Sequence, residues 1–534
     1  MKSLWRVVSL LALAAGSSAD LQPIEVKGSK FFYKNGTQFF MKGIAYQQDS
    51  AAGGATTKST KYHDPLADKS SCERDVPLLK ELGTNVIRTY AIDPSADHSA
   101  CMRLLQEAGI YVISDLGEPS LSINRDNPQW DTAIFERYQK VIDELSQYSN
   151  VIGYLAGNEV SDQKNNTGAS AYVKAAVRDT KNYIKSQKQI TRWLGVGYAA
   201  NDNTDIRDQI AHYFNCDNTN DSIDFWGYNI YSWCGESNAE LSGYNAQAAF
   251  FANYSVPVFF AEYGCNKDGA VNRKFTETAA LYSNNISSVF SGGIVYMYFQ
   301  EENDFGLVKV EKGAATKLKD FNELKKQVNQ ATPKAININD YTPAGKMGEC
   351  PKLTNTWEAN KALPPTPDRR LCDCMVKAAS CVPKPNLSNQ YVRQMFDFTC
   401  GSKTGACVGI TGHTATGVYG AYSMCDDAAK LTHVLDTYYT SQKRAAGACN
   451  FEGNAKLQKS EVDETCKAVL ASASIINSQA ATATVPVGGK STGASKEESS
   501  AIRIGHSLSL GAGSWGFCVA GFVSLLAGVS MLVL

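Results

Sequence analysis

The sequence predicts a (β/α)8 barrel followed by a small, disulfide-rich domain of mainly helical or mixed structure. Three observations predict it. Between Ile24 and Glu301, short apolar, β-prone runs alternate with amphipathic helical stretches, the signature of repeated βα units. Two of those runs end in a glutamate, at Gly157-Asn158-Glu159 and at Ala261-Glu262-Tyr263-Gly264. In a parallel barrel the carboxyl ends of the strands form the active face. Beyond the barrel, eight cysteines fall between Leu371 and Cys466, which marks a separate domain stapled by disulfides.

The elements follow in order. An opening hairpin turns at Asn35-Gly36 between Phe31–Tyr33 and Gln38–Ala45, and Phe39–Ala45 serves as the first barrel strand. Seven further strands are expected at Asn85–Ile92, Ile110–Leu116, Val151–Ala156, Trp193–Ala199, Ile223–Tyr231, Val256–Ala261 and Ile294–Phe299. Helices are expected at Asp75–Leu82, Ala100–Ala108, Asp131–Tyr148, Ser170–Ile184 and Leu318–Val328, where apolar side chains recur on one face. Eight strands in about 260 residues match a barrel in number and length. The rival, an open doubly wound sheet, lacks its Gly-rich phosphate loop after the first strand.

The chain divides into a signal peptide (1–19), a barrel domain (20–330), a Pro/Asn-rich linker packed on it (331–370) and the cysteine domain (371–470). A Ser/Thr/Ala/Gly-rich stalk (471–500) and an apolar tail (501–534) complete it. Lys2 and Arg6, the apolar run Val7–Ala15 and the small residues before Asp20 form a secretory signal, cut after Ala19. The tail Leu508–Leu534 follows a polar spacer and the small residues 491–495, the pattern for replacement by a glycolipid anchor at Gly493, with Ser499 and Ser500 as rivals. A single transmembrane helix is the competing reading, but no basic flank follows Leu534. The protein is thus expected to be secreted and anchored to the outer plasma membrane, with the cell wall as a further destination. Asn35, Asn165, Asn220, Asn253, Asn285 and Asn386 begin glycosylation sequons.

Composition excludes several function classes. Net charge is −1 over 534 residues without a basic block, which argues against nucleic acid. Six histidines include no His-Glu-X-X-His pattern, and cysteines in a secreted chain favour disulfides over zinc, so no metal is expected. No cofactor is needed, and a monomer is expected. Two carboxylates at one barrel mouth suit glycosidic bond cleavage, in which one holds a proton and the other attacks or activates water. Each glutamate alone could be a salt-bridged surface residue; the pair in fitting motifs favours chemistry.

Gly43-Ile44-Ala45-Tyr46-Gln47, Arg88-Thr89-Tyr90, Asp115-Leu116, Gly157-Asn158-Glu159, Gly227-Tyr228-Asn229, Ala261-Glu262-Tyr263-Gly264 and Tyr296-Met297-Tyr298 together resemble the fungal anchored β-1,3-glucanosyltransferases of glycoside hydrolase family 72. The resemblance covers nearly the whole chain. It implies Glu159 as acid/base and Glu262 as nucleophile of a retaining enzyme. Such an enzyme cleaves an internal β-1,3-glucan bond and transfers the new reducing end to a second glucan chain. A plain endo-β-1,3-glucanase and a non-catalytic glucan-binding wall protein are the alternatives. It further implies Asn158 on the sugar 2-hydroxyl, Tyr228 donating to Glu262, and substrate contacts from Tyr90, Tyr296, Asp115, Gln47, Asp202 and Arg207. Tyr228 could instead be a core aromatic, and Asp202–Arg207 a surface salt bridge. For Tyr231, Trp233 and Tyr298, wall packing competes with sugar stacking. Spacing leaves cysteine pairing open. The resemblance implies Cys72–Cys101, Cys216–Cys350 and Cys234–Cys265 in the barrel part. In the cysteine domain, similar to a carbohydrate-binding module of β-1,3-glucan enzymes, it implies Cys372–Cys425, Cys374–Cys466, Cys381–Cys449 and Cys400–Cys407.

Overall fold

The computed structural model describes residues 21–48, 62–267, 269, 272–402 and 404–483. The signal peptide, Gly493 and its rivals, and the apolar tail lie outside the described residues. Eight parallel strands close a barrel: β1 (Met41–Ala45), β2 (Val86–Thr89), β3 (Tyr111–Asp115), β4 (Val151–Asn158), β5 (Gly195–Ala200), β6 (Phe225–Asn229), β7 (Val258–Tyr263) and β8 (Phe290–Val295). Each strand pairs with its sequence neighbour, and β8 pairs with β1, as βα repetition requires. Alternate side chains fill the interior, among them Met41, Val86, Ile113, Leu155, Phe225 and Phe259. The hairpin of Lys30–Phe32 with Gln38–Phe39 seals the amino-terminal end, where Phe31 packs against Trp193, Phe225 and Phe259.

Helices α1 (Lys69–Glu81), α2 (Ser99–Glu107), α3 (Thr132–Leu145), α4 (Ala169–Ser186), α5 (Arg207–Phe214), α6 (Tyr244–Phe251), α7 (Thr276–Leu281), α8 (Asn284–Ser287) and α9 (Lys319–Gln330) surround the barrel. Asp68 and Asp131 cap α1 and α3 by accepting from backbone N–H groups of their first turns. That cap starts α1 six residues before the expected Asp75, because its first turn is polar and carries no apolar periodicity.

The eighth strand lies four residues earlier than expected. Ser291-Gly292-Gly293 reads as a turn, yet these residues are buried strand. A Cβ on Gly292 would lie 2.1 Å from the Met41 carbonyl oxygen, and its φ is +93°, so only glycine lets β8 close against β1. Beyond Val295 the N–H groups of Tyr296 and Tyr298 still donate to Tyr263 O and Ala45 O, at 2.9 Å each.

Buried within α7, Glu277 is 5% exposed, and burial pushes its carboxyl up to about 7 against the pull of Arg273. The native state therefore binds this proton more tightly than the unfolded chain. The associated stability is present below the ordinary value near 4.5 and is lost as pH rises through about 7. Glu277→Gln is expected to raise stability at pH 8, by an upper bound on the order of 3 kcal/mol, and with it the melting temperature, and to match the parent near pH 4.5. Calorimetry at the two pH values checks the closing gap.

The linker crosses back over the barrel. Ile336 and Ile338 carbonyls accept from Gln38 and Lys27, Trp357 is fully buried against Tyr213, and Cys216–Cys350 fastens the strap. Cys72–Cys101 and Cys234–Cys265 staple the barrel domain itself. Cys372–Cys425, Cys374–Cys466, Cys381–Cys449 and Cys400–Cys407 hold α10 (Arg369–Ala378), α11 (Asn389–Gly401), α12 (Asp427–Ser441) and α13 (Glu464–Thr482) around a small core. The cysteine domain rests on the barrel through Met424 O accepting from Thr132 N (3.0 Å) and Lys430 donating to Gln129 (2.6 Å).

One boundary moves. The stalk was expected from residue 471, but α13 continues to Thr482, with Ala473 buried and Asn477 accepting from Ala421 N at 2.8 Å. Its Ala/Ser tract looks low in complexity, yet alanine favours helix and Ala473 has a core to pack on. Among the described residues, no helix is long and apolar enough to cross a membrane.

Candidate active site

Strand phase aims the site. On β2, Val86, Arg88 and Tyr90 point inward while Ile87 and Thr89 point out. On β3 the inward series Tyr111, Ile113 ends in Asp115. Strict alternation from inward Leu155 and Ala261 would turn Asn158 and Glu262 away from the mouth, and two bulges correct this. Between β4 and β5 the register passes from Leu155↔Gly197 to Asn158↔Ala199, one extra residue on β4. Between β7 and β6 it passes from Phe260↔Tyr228 to Glu262↔Asn229, again one extra residue, on β7. Each bulge re-aims the residues that follow into the mouth. Glu159 then takes a left-handed backbone, φ +49°, which lets its side chain and that of Asn158 both enter the site.

Arg88, fully buried, joins the parts. Its guanidinium forks onto Asp115 (2.9 and 2.8 Å), and it donates to Glu262 Oε1 (3.3 Å) and to Asn158 Oδ1 (3.0 Å). Glu262 also accepts from Tyr90 Oη on Oε1 and from Tyr231 Oη on Oε2, both at 2.8 Å. Among the described residues Glu159 accepts one side-chain hydrogen bond, from Asn229 Nδ2 at 2.8 Å, and the same amide donates to Asn158 Oδ1 at 3.0 Å. A continuous chain, Glu262–Arg88–Asn158–Asn229–Glu159, thus connects the two carboxyl groups.

Burial dominates both acids. It pushes Glu262 up to about 7, with Arg88 pulling down, Glu159 adding to the rise, and the two phenols favouring the anion. It also raises Glu159, against Asn229, Arg125 and Arg88. The carboxyls titrate as a pair. One guanidinium and two phenols favour the anion at Glu262, whereas among the described residues a neutral amide is the side-chain donor to Glu159. A proton shared by the pair therefore resides on Glu159. Burial opposes the charge of Arg88 as well, but Asp115, Tyr90 and Glu262 outweigh it and hold the cation.

The remaining expected residues fall into distinct places. Gln47 Oε1 accepts from the N–H groups of Tyr90 and Ala91 (3.0 Å each), so it sets the path of the chain at Tyr90. Tyr296 stands edge-on to Tyr90, with centroids 6.3 Å apart, and forms one wall. Asp115 is committed to Arg88. Tyr228 departs from expectation. Its ring lies outward, against Phe251 and Phe260, and its hydroxyl donates to Asp202, not to Glu262. Asn229 is the inward residue of β6, and two positions on, Tyr231 takes the role expected of Tyr228. Asp202 also accepts from Arg207 at 2.8 Å, which makes a Tyr228–Asp202–Arg207 cluster at the rim. Trp233 and Tyr298 are buried and bonded to Thr276 and Asp75, as wall residues. Among the described residues, no group of His, Cys, Asp or Glu is arranged to hold a metal ion.

Residues 13–332, more than half of the chain, match the model of glycoside hydrolase family 72, described as glucanosyltransferase. The chain belongs to that family. Residues 379–456 of this glucanosyltransferase match an X8 domain. It is 53% identical over 471 residues to a 1,3-beta-glucanosyltransferase of Arthroderma benhamiae, covering 84% of this chain and 86% of the relative. To GAS2 of Saccharomyces cerevisiae it is 45% identical over 443 residues, covering 80% and 78%. Among solved structures, Saccharomyces cerevisiae Gas2p in complex with laminaritriose and laminaritetraose superposes with a TM-score of 0.76 at 43% identity, covering 83% of this chain and 98% of that one. The complex of Gas2p with laminaripentaose gives 0.76 at 42%, with the same coverage.

Two members of the family-72 site escape sequence reasoning as separate functional residues, Arg88 and Asn229. Both stand inside motifs quoted above, two positions before an inward tyrosine. Period-two counting back from Tyr90 and Tyr231 finds them.

Proposed function

We propose that this family-72 enzyme is a retaining β-1,3-glucanosyltransferase acting on β-1,3-glucan as both donor and acceptor. The carrying observation is the asymmetry of the two acids: among the described residues three side-chain donors favour the anion of buried Glu262, and half-buried Glu159 accepts from one. Glu262 attacks the anomeric carbon of an internal bond while Glu159 gives its proton to the departing glycosidic oxygen, which releases the reducing-end fragment. Glu159, now ionised, takes the proton of an acceptor hydroxyl at the non-reducing end of a second chain. That oxygen displaces Glu262 from the anomeric carbon, and a longer glucan results. Asn158, whose oxygen is occupied by Arg88 and Asn229, offers its NH2 to the sugar 2-hydroxyl. Tyr90 and Tyr231 orient the nucleophile, and Tyr296 covers a pyranose face.

Incubation with a laminarin oligosaccharide of single length tests the reading. Products both longer and shorter than the substrate are expected, and shorter products alone would make the enzyme a hydrolase. Further parts of the proposal are secretion, a glycolipid anchor at Gly493, and barrel and cysteine domains meeting near residues 331–370. Glycans are proposed at the six sequon asparagines, each of which is exposed.

A further inference from the structure

Resting on the proposed roles of Glu159 and Glu262, we infer that Arg125 is a positioning residue for the acid/base. It fixes the left-handed Glu159 peptide and sets how readily that side chain gives up its proton. Arg125 lies in the loop between β3 and α3. Its Nη2 donates to the Glu159 carbonyl at 2.7 Å, and its Nη1 pairs with Asp162. Glu159 N donates to Ala199 O at 2.8 Å, so both ends of this residue are held. A glutamate at φ +49° costs on the order of 1 kcal/mol or more, and such a conformation persists only where its surroundings over-determine it. The Arg125 fork is one of those surroundings. Asp162 is in turn fixed by Asn166, which donates to its carboxylate, and by Asn203, which donates to its carbonyl.

Held 2.7 Å from the Glu159 carbonyl oxygen, the same guanidinium also favours the anion of the Glu159 carboxyl, while Asp162 disfavours it. The other ionisable groups facing Glu159 are Arg88 from β2, Glu262 from β7 and Tyr198 from β5. Glu159 must be an acid when the donor bond breaks and a base when the acceptor attacks. Arg125 therefore serves the second half of the cycle, in which the anion has to persist until the acceptor hydroxyl arrives.

The test is the pH dependence of kcat/KM for elongation of a laminarin oligosaccharide by the full chain. Arg125→Gln is expected to move the alkaline limb to higher pH, because Glu159 holds its proton longer, with a loss of roughly tenfold in rate. Arg125→Lys keeps the charge without the fork, so it is expected to lose rate with the limb unmoved. Asp162→Asn is expected to move the limb to lower pH. Opposite shifts in Arg125→Gln and Asp162→Asn support the inference. Uniform rate losses with unmoved limbs, or shifts in the same direction, overturn it. Should wild-type enzyme make no elongated product, the proposed function fails instead, which separates the two ideas.

Discussion

Glu262→Gln is expected to lower the rate of glycosyl transfer by about 10⁴-fold or more, whatever the donor, because no glycosyl-enzyme can form without the carboxylate. The amide is nearly isosteric, and Tyr90, Tyr231 and Arg88 remain around it, so folding should persist. Glu159→Gln separates the two roles. It removes the acid, and on a glucan donor the loss is expected to be about 10²–10⁴-fold. On an aryl β-laminarioside whose leaving group needs no proton, Glu159→Gln should still form the glycosyl-enzyme, and Glu262→Gln should not. Burst release of the phenol reads this directly. Equal burst amplitudes in the two variants would sink the assignment. Wild-type activity carries a matching signature in pH. Glu262 must be ionised to attack, and burial raises its carboxyl above the ordinary carboxylate range even while the shared proton sits on Glu159. Activity should therefore fall on an acid limb that lies above pH 4.5. An acid limb near pH 4.5 would mean that Arg88 and the two phenols outweigh burial.

The barrel is legible in the sequence because its evidence is redundant. Eight apolar runs need only be counted, and an error at one strand does not alter closure. The displaced eighth strand shows the limit: Gly292 and Gly293 look like a turn by composition, and only the approach of the β1 backbone explains them. The site is legible as a pair of acids at strand ends but not as a wiring plan. Which tyrosine meets Glu262 depends on strand phase. Phase at the two glutamates is set by bulges that no residue type announces, so Tyr228 is assigned the contact that Tyr231 makes. Arg88 hides for a related reason. A guanidinium within an apolar run reads as tolerated polarity until the carboxylates converging on it are known. Cysteine pairing is different again, since eight cysteines permit 105 connectivities and resemblance alone chooses among them.

Arg88→Met should be the most damaging change that leaves both glutamates in place. The methionine fills much of the volume and keeps the contact over Tyr90, where the guanidinium now sits 4.3 Å from the ring centroid. What it removes is the charge between Asp115 and Glu262, two carboxylates that are 7% and 6% exposed. Stripping one partner from a buried ionic cluster costs about 3–5 kcal/mol, and for a barrel of this size the melting temperature should fall by roughly 5–15 °C. The loss must depend on pH. Without Arg88 both carboxyls bind protons in the native state far more tightly than in the unfolded chain. The variant keeps its stability at low pH and loses it as pH rises. Its deficit against wild type should therefore be wide at pH 8 and narrow near pH 4–5. Activity follows the same logic, since a protonated Glu262 cannot attack, and at pH 6 the variant should be close to inert. Arg88→Lys restores one positive charge without the fork to Asp115, so it should recover stability more fully than rate. A deficit equal at pH 5 and pH 8 would show that Arg88 acts through packing, and the electrostatic account of the nucleophile would have to be replaced.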